Sequence, residues 1–152
     1  MLKLSTENTG RAIKMFNAVL KYQSEGGDSP ERLELVQKLL HQGLKRGELR
    51  DELFMQLLKQ TRANPSVQSR ARGWELLFLV ASTMAPSKDF VGLVSQYIHD
   101  TAHDSGTGRI LEGFLGCVLC FDMLVHHMGP PTITHPCGCV HNNTMHVCVV
   151  VY

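Results

Sequence analysis

The sequence predicts an all-α protein, a compact helical bundle with an irregular, divergent C-terminal tail. Three observations lead there. Apolar residues recur at three- and four-residue spacing from Ser5 to Ser105, the breaks between these stripes hold helix start and stop chemistry, and the connections are short enough to keep successive helices adjacent. At 152 residues, with 43% apolar and 19% charged, the chain has the size and composition of one globular domain with a core of its own.

The first stripe is Ile13, Phe16, Val19 and Leu20, after a polar lead of Ser, Thr and Asn, and it should stop near Gly26 and Gly27. Ser29, Pro30 and Glu31 then read as a cap, a first-turn proline and an acid at the positive end of the helix dipole. Leu33, Val36, Leu40 and Leu44 form the second stripe, and Gly47 separates it from a third helix. That third helix has a wide apolar face of Leu49, Leu53, Phe54, Leu57 and Leu58, running to about Thr61. Asn64 and Pro65 restart the chain. Trp74, Leu77, Phe78 and Ala81 follow at helical spacing until Pro86, which lacks a donor and restricts Ala85. Pro86 or Ser87 opens a fifth helix whose buried side is Phe90, Leu93, Val94, Tyr97 and Ile98.

Charge and cysteine divide the chain near one point. All fifteen Lys and Arg lie at or before Arg109, so the first 109 residues sum to +3 and the last 43 to −2. The five cysteines all lie beyond it, and their odd number, with no cleavable apolar leader after Met1, favours reduced thiols and a cytoplasmic setting. The longest apolar stretch, Ile110 to Val125, is broken by Glu112 and Asp122 and is too short for a membrane span. The expected organisation is a helical domain over residues 1–108 and a Cys/His-rich tail over 109–152.

Two segments go beyond generic helix chemistry: GELRDELFMQLLKQTRANP at 47–65 and SRARGWELLFLVASTMAPSKDF at 69–90. An LRDE helix start, a KQT run closing on Asn-Pro, a GWEL helix and an APSK turn fall in one order, and the chain resembles the myosin tail homology 4 (MyTH4) domain over about Arg11 to His103. The wording, with the following Tyr97-Ile98-His99, is most similar to kinesin-like calmodulin-binding proteins. The resemblance implies an α-helical, non-catalytic module of a cytoskeletal motor's tail. Such a module attaches to microtubules, or holds cargo together with an adjacent FERM domain that this sequence does not contain. A departure from the family pattern after about His103 implies a foreign ending, from an alternative exon or a frame running into untranslated sequence. The family's late helices would then be missing, and Met1 so close to the first matched helix suggests a fragment.

Candidate functional residues follow from charge. Lys45, Arg46, Arg50, Lys59, Arg62, Arg70 and Arg72 outnumber Glu48, Asp51 and Glu52 by four over residues 45–72. Such a field steers an acidic surface, and given the resemblance the acidic exterior of tubulin is its counterpart. Lys45, Arg46, Lys59, Arg62, Arg70 and Arg72 are the expected partner-binding residues; a solvated face is the plain alternative. Arg50, Asp51 and Glu52 at the third helix start, with Trp74, Glu75 and Pro86, are expected to be structural, Trp74 buried with its indole N–H bonded to a neighbour.

Near-neutral overall charge and the lack of a recognition motif exclude nucleic acid as the favoured partner. No phosphate loop occurs, and His41, His99 and His103 form no metalloprotease pattern. No catalysis and no cofactor are expected. Cys117 and Cys120 form a C-x-x-C pair, but Cys137 and Cys139 give a strained C-x-C, so a zinc-binding tail is only an alternative. A helical interaction scaffold without filament affinity is the other.

Overall fold

A computed structural model of the chain describes residues 2–24, 30–62 and 64–102. They form five α-helices: α1 (Thr6–Ser24), α2 (Pro30–Lys45), α3 (Gly47–Thr61), α4 (Val67–Thr83) and α5 (Lys88–Ala102). The predicted stop at Gly26 and Gly27, the Ser29 cap, and everything expected of residues 103–152, the candidate zinc ligands included, lie outside the described residues.

The core forms around α3, which packs against all four other helices. Leu49, Leu53, Phe54, Leu57 and Leu58 are all buried there, as their spacing predicts. A helix enclosed on several sides must also bury polar positions. Glu52, Gln56 and Thr61 are buried with the apolar residues; hydrogen bonds at Glu52 and Thr61 offset their removal from water, whereas Gln56 bonds only through its side-chain amide nitrogen and its Oε1 has no partner among the described residues.

The outer helices bury only part of the expected stripes: Val19 and Val36 are buried as predicted, and most of their companions are not. α1 buries Ala12, Met15, Val19 and Tyr22, leaving Ile13 at 50% and Leu20 at 41% exposure. Both sets have helical spacing, but the buried one extends a further turn to Tyr22, which the other cannot match. In α2 the face is Arg32, Val36, Leu39 and Gly43, which shares Val36 with the expected stripe but otherwise lies one residue before it, so Leu33 and Leu44 are exposed and Leu40 is half-buried. Arg32 owes its place to chemistry rather than apolarity. Its guanidinium lies 4.4 Å over the Tyr22 ring and bonds Glu75 at 2.8 Å, tying α1, α2 and α4 together. Burial opposes the charge on Arg32, but Tyr22 and Glu75 more than compensate and raise its pKa. Burial, with the Glu75 carboxylate nearby, pushes the Tyr22 phenol up to about 12.

The break between α2 and α3 is at Arg46, not Gly47. Arg46 alone is extended, with φ −139° and ψ 116°, and Gly47 is already the first residue of α3. α4 starts on Ser66, whose side chain accepts from the Ser69 amide at 3.2 Å, and ends at Thr83 with Met84 extended. Pro86 is buried just beyond. Ser87 then opens α5, its carbonyl accepting from the Phe90 and Val91 amides. α5 buries Val94 and Ile98, with Phe90 and Tyr97 half-buried, but Leu93 is 49% exposed because it falls outside the narrow contact with α3.

Candidate functional site

The LRDE residues act as joints. Asp51 accepts the Ser87 amide at 2.8 Å, so the start of α3 holds the turn that launches α5. Glu52 accepts the Leu2 amide at 2.7 Å and the Gln56 side chain at 3.0 Å, and Gln56 also donates to the Ala12 carbonyl. Residues 51–56 of α3 thereby tie down the N-terminal segment, α1 and the start of α5. Glu48 adds to this by accepting from the Ser5 amide, the Ser5 hydroxyl and the Asn8 side chain, and those hydrogen bonds, Asn8 first, hold its carboxyl below the usual carboxylate range. Arg50, half-buried, has its Nε enclosed with no hydrogen-bond partner among the described residues.

The later motif residues meet across helices. Trp74 is buried, but its indole nitrogen has no hydrogen-bond partner among the described residues, contrary to expectation. Its ring instead stacks on Tyr97, with centroids 5.7 Å apart and planes 12° from parallel. The Tyr97 hydroxyl shares a 2.8 Å hydrogen bond with Thr61, which also bonds the Leu57 carbonyl. The KQT, GWEL and YIH motifs therefore converge on one stack. Gly73 makes room for it: a Cβ there would lie 2.9 Å from the Gln23 side-chain nitrogen and 3.0 Å from Thr61 Cγ2.

The six expected partner-binding cations divide into three groups. Arg72 donates to the Gln23 carbonyl at 2.9 Å and so bonds the end of α1, while Gln23 in turn reaches the Ser69 carbonyl. Lys45 and Arg46 lie at the α2–α3 junction, where Arg46 bonds Gln42 and adds a small pull on Glu7. The larger pull comes from Arg11, which bonds Glu7 directly and lowers its pKa. This group stands about 20 Å from the far end of α3.

Lys59, Arg62 and Arg70 are brought together there. They line one groove, of about 970 Å3, between the C-terminal half of α3, the start of α4 and α5. Lys59 and Arg62 are exposed and Arg70 is half-buried, and none of the three has an ion-pair partner among the described residues. Arg70 Nε is enclosed without a hydrogen-bond partner. Met55, Leu58, Leu93 and Tyr97 supply the apolar lining, and Asp100 is the single acid. The sequence showed the cations but not the groove, because α5 comes from a segment with no basic excess.

Among the described residues no cluster of three or more His, Cys, Asp or Glu is placed to hold a metal ion. No described helix is long and apolar enough to cross a membrane.

Comparison with known proteins agrees with the architecture and the motifs. The fold superimposes on the MyTH4-FERM MF2 domain of Dictyostelium discoideum myosin VII with a TM-score of 0.71 at 22% identity, over 86% of this chain and 26% of that one. The chain is 50% identical over 113 residues to the Kinesin-like protein KIN-14I of Oryza sativa subsp. japonica, and 48% identical over 112 residues to the Kinesin-like protein KIN-14E of Arabidopsis thaliana. These matches cover 70% and 69% of this chain but only 9% of each relative. Unconventional myosin heavy chain 6 of Caenorhabditis elegans is 35% identical over 94 residues, 60% of this chain and 4% of that relative. The MyTH4 domain profile matches residues 36–118, beginning inside α2 and taking in both motif segments. The chain belongs to the MyTH4 domain family.

Proposed function

We propose that the chain is a non-catalytic attachment module of a cytoskeletal motor's tail, and that Lys59, Arg62 and Arg70 bind the acidic surface of microtubules. The observation that supports this most is the convergence on one groove of three cations without ionic partners among the described residues, the groove being built from the helices that bear the family's motifs. The kinesin-like and myosin relatives supply the cytoskeletal setting. Lys45 and Arg46 form a second, smaller contact at the other end of α3, and Arg72 takes no part. Cargo proteins, or a FERM domain beside this one in a longer chain, are partners consistent with the myosin VII likeness. A scaffold that binds proteins without filament affinity is the competing reading.

Co-sedimentation with microtubules separates the two. The chain is expected to pellet with microtubules at low ionic strength and to be released as salt shortens the Debye length from about 10 Å at 0.1 M towards 3 Å at 1 M. Reversing Lys59→Glu and Arg62→Glu together should weaken binding about tenfold, at roughly 0.5–1 kcal/mol per exposed charge. Binding that ignores both salt and the reversal, or no binding at all, leaves the scaffold reading in place.

A further inference from the structure

Cations alone would give a flat electrostatic contact, but this groove is also concave and apolar. Leu93, the least expected exposed residue of α5, faces it together with Met55, Leu58 and the Tyr97 ring. Tyr97 cannot swing away: stacking on Trp74 and the hydrogen bond to Thr61 hold it from two directions. The apolar side is therefore preformed, which reduces the ordering lost on binding. A volume near 970 Å3 lies at the upper end of the usual range for ligand sites and accommodates several side chains.

We infer that the groove is a docking site for a short protein segment in which consecutive carboxylates flank one bulky apolar side chain. The carboxylates meet Lys59, Arg62 and Arg70, and the apolar side chain enters between Met55, Leu58, Leu93 and Tyr97. The inference rests on the reading above that the partner is an acidic protein, and adds what a purely electrostatic contact lacks, a hydrophobic anchor. Charge complementarity selects the occupant. Among the charged groups lining the groove, three are cations without ionic partners among the described residues and one is Asp100, which already accepts a hydrogen bond from Gln96 at 2.6 Å. A peptide is favoured over an anionic membrane because the apolar residues line a cleft rather than a projecting face that could enter a bilayer.

The test uses the full chain and two fluorescein-labelled peptides, one of six glutamates around a central phenylalanine and the other with serine in its place. Fluorescence anisotropy is expected to show the phenylalanine peptide binding about tenfold or more tightly, from burial of one aromatic side chain. Leu93→Asp, a change at a half-exposed position whose folding circular dichroism checks, should remove most of that preference, with Leu93→Ser giving an intermediate loss. Lys59→Glu with Arg62→Glu should weaken both peptides and keep their ratio. Equal affinity of the two peptides overturns the inference and leaves charge-led filament attachment standing. Preference for phosphatidylserine vesicles over the phenylalanine peptide also overturns it, in favour of a membrane surface. Phenylalanine selectivity without microtubule co-sedimentation supports the groove and removes only the filament as its partner.

Discussion

α3 and α5 are both fifteen residues long, but they serve the molecule differently. α3 buries eight of its residues, polar ones among them, and meets every other helix. α5 buries Val94 and Ile98, packs mainly on α3, and is secured at two polar points: the Ser87 amide on Asp51 and the Tyr97 hydroxyl on Thr61. Burial is thus concentrated in one helix, while its neighbour is less covered by the described residues. The groove lies between them, with one wall on the best-packed element and the other on the least enclosed. Such a division lets the groove hold exposed apolar groups at little expense to folding.

The sharpest way to break this comparison uses one substitution at two places. Leu53→Ala removes a fully buried side chain from α3 and should destabilise by about 2–5 kcal/mol. Leu93→Ala on α5 should stay within about 0.5 kcal/mol, as for exposed positions. Urea denaturation measures both; similar losses would show that α5 is as integral as α3. A smaller effect is expected from Asp51→Ala, which strands the Ser87 amide and should cost about 1.5–3 kcal/mol. Hydrogen exchange should then show α5 amides losing protection before those of α3, and uniform loss would mean that Asp51 is no tether.

The smallest effect concerns the first turn of α3, at the end away from the groove. Since the folded Glu48 carboxyl titrates below its ordinary value of 4.5, its contribution is complete above that pH. It is lost as pH falls through the lower folded value. The amide resonance of Ser5, which bonds Glu48, should shift over that acid range, and Glu48→Gln should abolish the shift. Persistence of the titration in the variant would assign it to another group.

The same contrast explains what could be read in advance. On α3 the apolar face was legible residue by residue, because a helix surrounded by others buries nearly every large side chain it has. On α1 and α2 spacing and apolarity favour Ile13 with Leu20 and Leu33 with Leu44, whereas the buried faces include Tyr22 and Arg32, whose cation–π and ionic contacts leave no trace in periodicity. Leu93 was misplaced for a related reason: spacing marks the side of α5 that could be covered, not how much of it finds a neighbour. The candidate cations were legible as a run of letters, whereas their separation was not. Arg72 is drawn inward by the Gln23 carbonyl, and Arg46 sits a helix length from Arg62. The motif residues could be recognised, but their partnerships, Asp51 with Ser87 and Trp74 with Tyr97, needed the third dimension.

Arg46 is the only residue between two helices, and that brevity has a mechanical consequence. A single extended residue stores no slack, so tension passing along the chain from α2 reaches α3 without first drawing out a loop. The load falls on interlocked side chains sliding past one another instead of on a connector that lengthens. A module built this way transmits pull as a stiff elbow, and an insertion of two or three glycines beside Arg46 would turn the elbow into a spring.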